Sequence, residues 1–400
     1  MEATPTFDPM RSSGQIMLLI GADSLFGFAI GLSSPAVAPL VFALGVSLTF
    51  VGQAQMVGGL SSTFLRLPVG NIMDRVGRKP FILIGGVVTL LGYVSYSFAN
   101  AWFLLGAGIM FVSLDYAIRG TAISASLGDA EKRDRLGRVF SVDLGATETA
   151  GTISPLLGGY VATAFRVPTS TIFSSSALLI VVGLLVVWFG YKPPPFERTQ
   201  VLPNEKHKLF ALPDRRILPI MIVVALDAFA WRISMPFWTL YVFKVMNATE
   251  SQLGITIAIS SAIPALTGWT LGSKIDKVGR RPFLAASEWC ALGAFLPLLF
   301  GWRPEFAYLS AIFWGLVYSL WVPALYAYMI DHFGREKFGQ TQGGLALFSG
   351  LVSAASPVLG GWMWDNISPK MPFAVTLVIA VMIGTIIWFK IEDKRSLGSA

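Results

Sequence analysis

Cysteine, histidine and charge are all scarce in this chain of 400 residues. Cys290 stands alone, which excludes an intrachain disulfide. With His207 and His332 as the only histidines, a Cys/His metal cluster has no ligands. Charged residues make up 13% of the sequence and hydrophobic residues 54%, whereas a soluble chain carries about 25% charge. HExxH, GxSxG and paired catalytic histidines are missing too, so an intramembrane enzyme is unsupported and no cofactor is expected. No cleavable secretory signal is expected either. The first apolar stretch runs from Gly14 past Pro39, too long for a signal h-region. What is plentiful is glycine (40) and tryptophan (12), which a bilayer accommodates at helix contacts and interfacial belts. The chain reads as an integral membrane protein.

Apolar runs separated by charged or Gly/Pro-rich breaks predict twelve helices, at 14–43, 50–72, 81–99, 102–127, 137–164, 169–191, 216–245, 250–274, 282–301, 305–330, 339–364 and 371–390. A span needs about 20 apolar residues, and the longer runs permit tilt. The stretch 192–215 contains Pro193-Pro194-Pro195 and mixed charge, and is the one break long enough to separate two domains. The expected organisation is all-α: a six-helix half over 14–191, a linker over 192–215 and a second six-helix half over 216–391.

The basic residues set the orientation. Under this scheme 23 of the 30 Lys and Arg fall on the side holding both termini and the linker. The opposite side holds Arg166, Lys244, Arg303 and Lys370, and three arginines lie within spans. The positive-inside rule therefore puts both termini and the linker in the cytoplasm of a multi-pass protein of the cell membrane. The net charge of +7 is a topology signal, not a nucleic-acid footprint, because no basic face is interleaved with aromatics.

The two halves repeat at an offset of 202 residues. Gly70-Asn-Ile-Met-Asp74-Arg75-Val-Gly77-Arg78-Lys79-Pro80-Phe81 matches Gly272-Ser-Lys-Ile-Asp276-Lys277-Val-Gly279-Arg280-Arg281-Pro282-Phe283. Ser154-Pro155-Leu-Leu-Gly158-Gly159 matches Ser356-Pro357-Val-Leu-Gly360-Gly361, and Asp129 matches Asp331. Gly77 and Gly279 suit a tight turn with positive φ. Two halves in the same orientation imply a pseudo-twofold axis along the membrane normal.

The repeated loop, G-x-x-x-D-R-x-G-R-K, resembles the loop between the second and third helices of the major facilitator superfamily, and its second copy lies between helices eight and nine, as in that family. The resemblance covers essentially the whole chain. It implies a secondary transporter working by alternating access, one half rocking against the other. It also implies that Asp74 faces the positive N-terminus of helix eleven and that Arg78 pairs with Asp129, closing the cytoplasmic side. Alternatively, these residues set topology and loop geometry only. Ser-Pro-x-x-Gly-Gly in helix five resembles the antiporter motif of the family's drug:proton exchangers, with Ser141, Ala150 and Ser154 where that motif has glycines. Its copy in helix eleven supports plain helix packing as the rival reading. Arg119 lies ten residues before Asp129, nearer the cytoplasmic end than the family's helix-four arginine.

An ionisable group at membrane depth costs about 2.5–3.5 kcal/mol on insertion scales, so each one needs a reason. Those here are Asp23, Arg66, Asp115, Arg119, Asp143, Glu148, Asp227, Arg232 and Glu288. By resemblance most of them fall on cavity helices, while Glu288, about two turns from the end of helix nine, is expected to reach the interface. Asp115 and Arg119 are about 40° apart around a helix and can pair. Asp143 and Glu148, like Asp227 and Arg232, are about 140° apart and should seek partners on other helices. Structural salt bridges between helices are the alternative for any one of them. Glu148, near midspan, is the first candidate for proton coupling, followed by Asp23 and Asp227, then Asp143 and Asp115. Arg66, Arg119, Arg232, Trp231, Trp238, Tyr318 and Trp321 are candidates to line the substrate cavity. An acidic first half and an aromatic second half suit an amphipathic or cationic organic compound.

Three functions remain open. The leading one is a monomeric, proton-coupled exporter of a small organic compound, with protons and the lipid bilayer as its other partners. The alternatives are an importer of a small organic anion or metabolite using Arg66, Arg119 and Arg232, and a membrane sensor or scaffold that does not transport.

Overall fold

A computed structural model describes residues 9–130, 136–193, 218–333 and 338–391. No β-strand occurs among them. The linker beyond Pro193, and the side chain of Asp276 with the surroundings of Gly272, lie outside the described residues. The chain divides into two compact units: Met1–Leu40 with Val57–His207, and Val41–Met56 with Lys208–Ala400. The sequence halves map onto these units except for Val41–Met56.

The first helical path begins with α1 (Pro9–Ser33). Pro35 has no N–H to give, and Ser34 Oγ donates to the Gly31 carbonyl at 2.7 Å. The path therefore tightens into a 3-10 turn, Ser34–Ala36, before α2 (Val37–Ala43). Next come α3 (Leu48–Val76), α4 (Lys79–Ser97) and α5 (Trp102–Asp115). A π turn, Tyr116–Gly120, joins α5 to α6 (Thr121–Ala130). After these come α7 (Leu136–Phe165) and α8 (Thr169–Leu185), which ends in a second π turn, Val186–Gly190.

The second sequence half repeats the opening. α9 (Leu218–Ser234) meets a 3-10 turn at Met235–Phe237, around Pro236, and continues as α10 (Trp238–Lys244). Then follow α11 (Glu250–Val278), α12 (Arg281–Trp289), α13 (Ala291–Phe300) and α14 (Glu305–Phe333). The expected single helix at 339–364 is broken in two, α15 (Phe338–Val352) and α16 (Ser356–Asn366), because Pro357 needs the first turn of a new helix. α17 (Met371–Lys390) ends the described chain.

Among the described residues, nine helical stretches are long and apolar enough to cross a membrane. α3, α7 and α11 are not among them, although each is 29 or 30 residues long. Gly, Ser and Thr dilute all three, Gln adds to this in α3 and α11, and α7 also carries Asp143 and Glu148. Such composition suits a helix that faces water on one side.

In the first unit α1 lies against α7 and α8, and α4 against α5 and α8. The Ser-Pro-x-x-Gly-Gly element sets the α1–α7 contact: a Cβ on Gly158 would collide with the Leu32 carbonyl oxygen, and Ser154 fills the notch at Gly31. Gly159 is buried beside it. The second copy does the same for α16 on α9, where a Cβ on Gly360 would strike the Ile233 carbonyl oxygen. Ser356 and Pro357 are buried there. Both copies are therefore backbone-to-backbone packing surfaces.

The second unit packs α11 on α14, α12 on α14 and α17, and α9 on α15, α16 and α17. Its apolar centre includes Val224, Leu284, Ala285, Met329, Ile383 and Ile387. Val41–Met56 belongs here because the start of α3 is tied to α16. The Asp365 carboxylate accepts Leu48 N at 3.1 Å, Thr49 N at 2.8 Å and Thr49 Oγ1 at 2.7 Å. It occupies the N-terminus of α3, where unpaired N–H groups and the helix dipole favour an anion. Nothing in the sequence singled out Asp365.

Candidate functional site

Four charged side chains meet inside the first unit. Arg119, in the π turn, donates Nε to Asp115 Oδ1 at 2.7 Å and Nη2 to Asp115 Oδ2 at 2.7 Å. Its Nη1 reaches across to Asp23 Oδ1 on α1. Thr89 Oγ1 on α4 donates to Asp115 Oδ1 at 2.6 Å, and the Arg119 guanidinium lies 4.6 Å from the centroid of Phe26. Arg119 and Asp115 are 7% and 5% exposed. α4 approaches this closely because Gly85 lacks a side chain: a Cβ there would stand 2.6 Å from the Arg119 backbone nitrogen.

Asp143 on α7 is the fourth member. It lies within electrostatic reach of Asp23 and Arg119, and its Oδ1 is buried without a hydrogen-bond partner. Three carboxyls thus surround one guanidinium, an acidic excess of two if all are ionised. A buried carboxylate without a partner is costly. The arrangement therefore has room for a proton or for a cationic group of a ligand. Glu148 stands apart, half-buried, with no ion pair among the described residues. Arg66 is exposed and lies over Tyr116, 4.9 Å from the ring centroid.

The repeated loop forms the same bridge in each unit. Arg78 binds Asp74 through Nη1 and Asp129 Oδ2 through Nε at 2.9 Å. Arg280 Nε donates to Asp331 Oδ2 at 3.0 Å, while its Nη1 donates to the Ile275 carbonyl at 2.7 Å. Gly77 and Gly279 have φ of 102° and 110°, the left-handed region in which a side chain is strained. Lys79 has a role the sequence did not reveal: its Nζ donates to the Trp188 and Tyr191 carbonyls at 2.8 and 2.7 Å, capping the end of the path begun by α8. Gly70 and Arg75 lie on the outer part of α3, where Gly70 has open space around it and Arg75 is exposed. Arg281 Cζ stacks 5.5 Å from the centroid of Trp388.

Two of the aromatic candidates of the second unit, Trp231 and Trp238, both pack on Trp314. Trp314 stacks flat on Trp238 at 5.0 Å and meets Trp231 edge-on at 5.0 Å, with Phe295 5.2 Å from Trp231. Trp238 is 6% exposed, so it is an interior wall and not an open surface. Trp321 packs against the apolar centre, whereas Tyr318 is half exposed. Arg232 is half-buried on α9. Glu288 departs from expectation. It does not reach an interface: it is 0% exposed, because Gly384 lets α17 close over it.

A buried charge cluster within a helical unit, two copies of one acidic-basic loop and, among the described residues, nine apolar helical stretches describe a polytopic membrane protein. The sequence model of the Major Facilitator Superfamily matches residues 19–218 and 220–400, and the chain belongs to that family. It is a multi-pass membrane transporter acting on a small molecule, not an enzyme. It is 25% identical over 365 residues to the purine ribonucleoside efflux pump NepI of Salmonella typhimurium strain LT2, covering 88% of each chain. It is 22% identical over 339 residues to the multidrug resistance protein MdtG of Dickeya zeae, covering 82% of this chain and 81% of the other. Among solved structures, the nucleoside transporter NupG superposes with a TM-score of 0.76 at 14% identity over 94% of this chain and 100% of that one. A D-xylose-proton symporter gives 0.71 at 14% identity over 94% and 97%. Likeness at that identity concerns the fold.

Proposed function

We propose that this transporter exports a small organic compound with an apolar or aromatic body across the cytoplasmic membrane in exchange for protons, by alternating access. Twelve spans and cytoplasmic termini, supported by the positive-inside charge count, and a monomeric state complete this reading. The observation that carries it is the acidic excess around Arg119. Asp23, Asp115 and Asp143 share one guanidinium, and the buried Asp143 Oδ1 lacks a donor. Proton and substrate then exclude one another: a substrate that is cationic, or that donates hydrogen bonds, displaces the proton, and the proton returns when the substrate leaves. Glu148 is a further carboxyl along α7 that can take up the released proton.

Import of an organic anion is the weaker reading, because Arg119 is already matched by two carboxylates and has little net positive field left for an anion. The names of NepI and MdtG favour efflux and point to nucleosides and drug-like compounds as first candidates. The bridges of Arg78 and Arg280 serve in this reading as the cytoplasmic gate. The test is substrate-dependent proton movement in proteoliposomes, with inosine and ethidium as probes. Release of protons on addition of either, lost in Asp143→Asn, is the expected result. Uptake of either probe with no proton movement refutes coupling at this cluster.

A further inference from the structure

A second acidic site lies in the second unit, and among the described residues no cation is found pairing with it. Glu288 on α12 is 0% exposed, and neither of its carboxyl oxygens has a hydrogen-bond partner. Its near neighbours are the carboxyl of Asp227 on α9 and the indole of Trp231, one turn further along α9. Two ionised carboxyls can only accept hydrogen bonds, so without a proton neither satisfies the other. Burying both as anions without a cation is costly enough that a proton is retained.

The repeat shows what has changed. Adding 202 to Arg119 gives Trp321, which packs against the apolar centre of this unit. The first unit neutralises its buried acids with a guanidinium, and the second has an indole at the equivalent position. Other charged and titratable groups on the surrounding elements sit toward helix ends. Asp331, His332, Asp365 and Lys390 are in last turns, and Glu305 is the first residue of α14. Arg281 is two turns before Glu288, about 10 Å along the axis, and is stacked on Trp388. Arg232 is about 140° around α9 from Asp227. Tyr326, Tyr328 and Cys290 are neutral at physiological pH.

We propose that Asp227 and Glu288 hold one proton between them, forming a proton-binding site in the second unit separate from the cluster around Arg119. The proton bridges the two carboxyls as O–H···O. It enters and leaves through Asp227, which is only half-buried, since Glu288 has no exposed surface. Gly384 completes the site: a Cβ there would stand 2.9 Å from the Glu288 Cβ, so only glycine lets α17 shield the acid. The site stands on this geometry, and its use in coupling rests on the antiport reading above.

Infrared difference spectra of the full-length protein in liposomes, recorded between acid and alkaline pH, read the protonated-carboxyl stretching band directly. Wild type should show a band that bleaches as pH rises. Glu288→Gln should remove that step and lower the protons released per chain by one. Asp227→Asn should remove the same step, and it carries the test if Glu288→Gln fails to fold. Glu305→Gln should leave the step unchanged. An unchanged bleach in both Glu288→Gln and Asp227→Asn overturns the proposal. Inosine or ethidium transport that persists at the wild-type rate while the step is absent overturns the use of this site in coupling. Absence of transport with the step intact overturns only the antiport reading.

Discussion

Arg119→Leu removes the cation on which the first unit's acids depend. Arg119 and Asp115 have side chains 8% and 7% exposed and are joined by two hydrogen bonds of 2.7 Å. Leaving a buried carboxylate without its partner costs about 3–5 kcal/mol. Asp23 and Asp143 add to the repulsion, so the upper half of that range is expected. Replacing both members of a buried pair by apolar groups of similar size is nearly neutral. Arg119→Leu/Asp115→Leu should therefore recover most of the stability that Arg119→Leu loses, leaving a deficit of about 1–2 kcal/mol from Asp23, which loses its cation, while the Thr89 hydroxyl keeps the Gly85 carbonyl as acceptor. Thermal or denaturant unfolding of purified protein in detergent, with Asp115→Leu completing the double-mutant cycle, gives the coupling energy. A double variant as unstable as Arg119→Leu, or a coupling below about 1 kcal/mol, would refute the assignment of Arg119 as the neutralising group. Transport should be lost in all three variants, because each removes a member of the cluster that would hold the exchanged proton.

Two glycines of α7 should respond with opposite signs. Gly158→Ala drives a Cβ into the Leu32 carbonyl oxygen and should cost about 3 kcal/mol, while Gly145→Ala meets nothing within 4 Å and should stabilise by about 0.5–1 kcal/mol. Thermal midpoints measured side by side decide this. Asp365→Ala removes the acceptor at the N-terminus of α3, and its exposed position limits the loss to about 0.5–1 kcal/mol; hydrogen exchange at Leu48 and Thr49 should nonetheless accelerate, and unchanged protection there refutes the cap. Asp129→Asn weakens the Arg78 bridge, where the carboxylate is 44% exposed, so stability should change by less than about 1 kcal/mol. Transport should fall several-fold in Asp129→Asn if the bridge gates; unchanged turnover would reduce it to loop geometry.

Some of this was legible in the sequence because the physics is local. The spacing of Asp115 and Arg119 placed them on one helix face, and they pair, although in a π turn that no residue pattern announced. The resemblance implied that Arg78 pairs with Asp129, and the repeat at an offset of 202 puts Arg280 and Asp331 at the matching positions; both bridges are present. Helical angles also told which acids could not find partners on their own helix, but not whom they would meet. That Asp143 joins Asp23 and Arg119 while Glu148 stays apart depends on how α7 docks on α1, which Gly158 and Ser154 determine. Glu288 was misplaced for a related reason. Counting turns from a helix end measures depth, whereas its burial depends on a glycine 96 residues later, Gly384 on α17. Trp238 was expected to line a cavity, but stacking on Trp314 takes up its ring face.

Gradient-driven flux in proteoliposomes tests the central claim most directly. With a pH gradient as the sole energy source and labelled inosine or ethidium as probe, proton antiport predicts accumulation inside vesicles whose interior is acid, because protons leave as substrate enters. A protonophore should abolish that accumulation, and Asp143→Asn should reduce it to the level of empty vesicles. Accumulation only when the outside is acid, or flux that ignores the gradient altogether, would contradict the account.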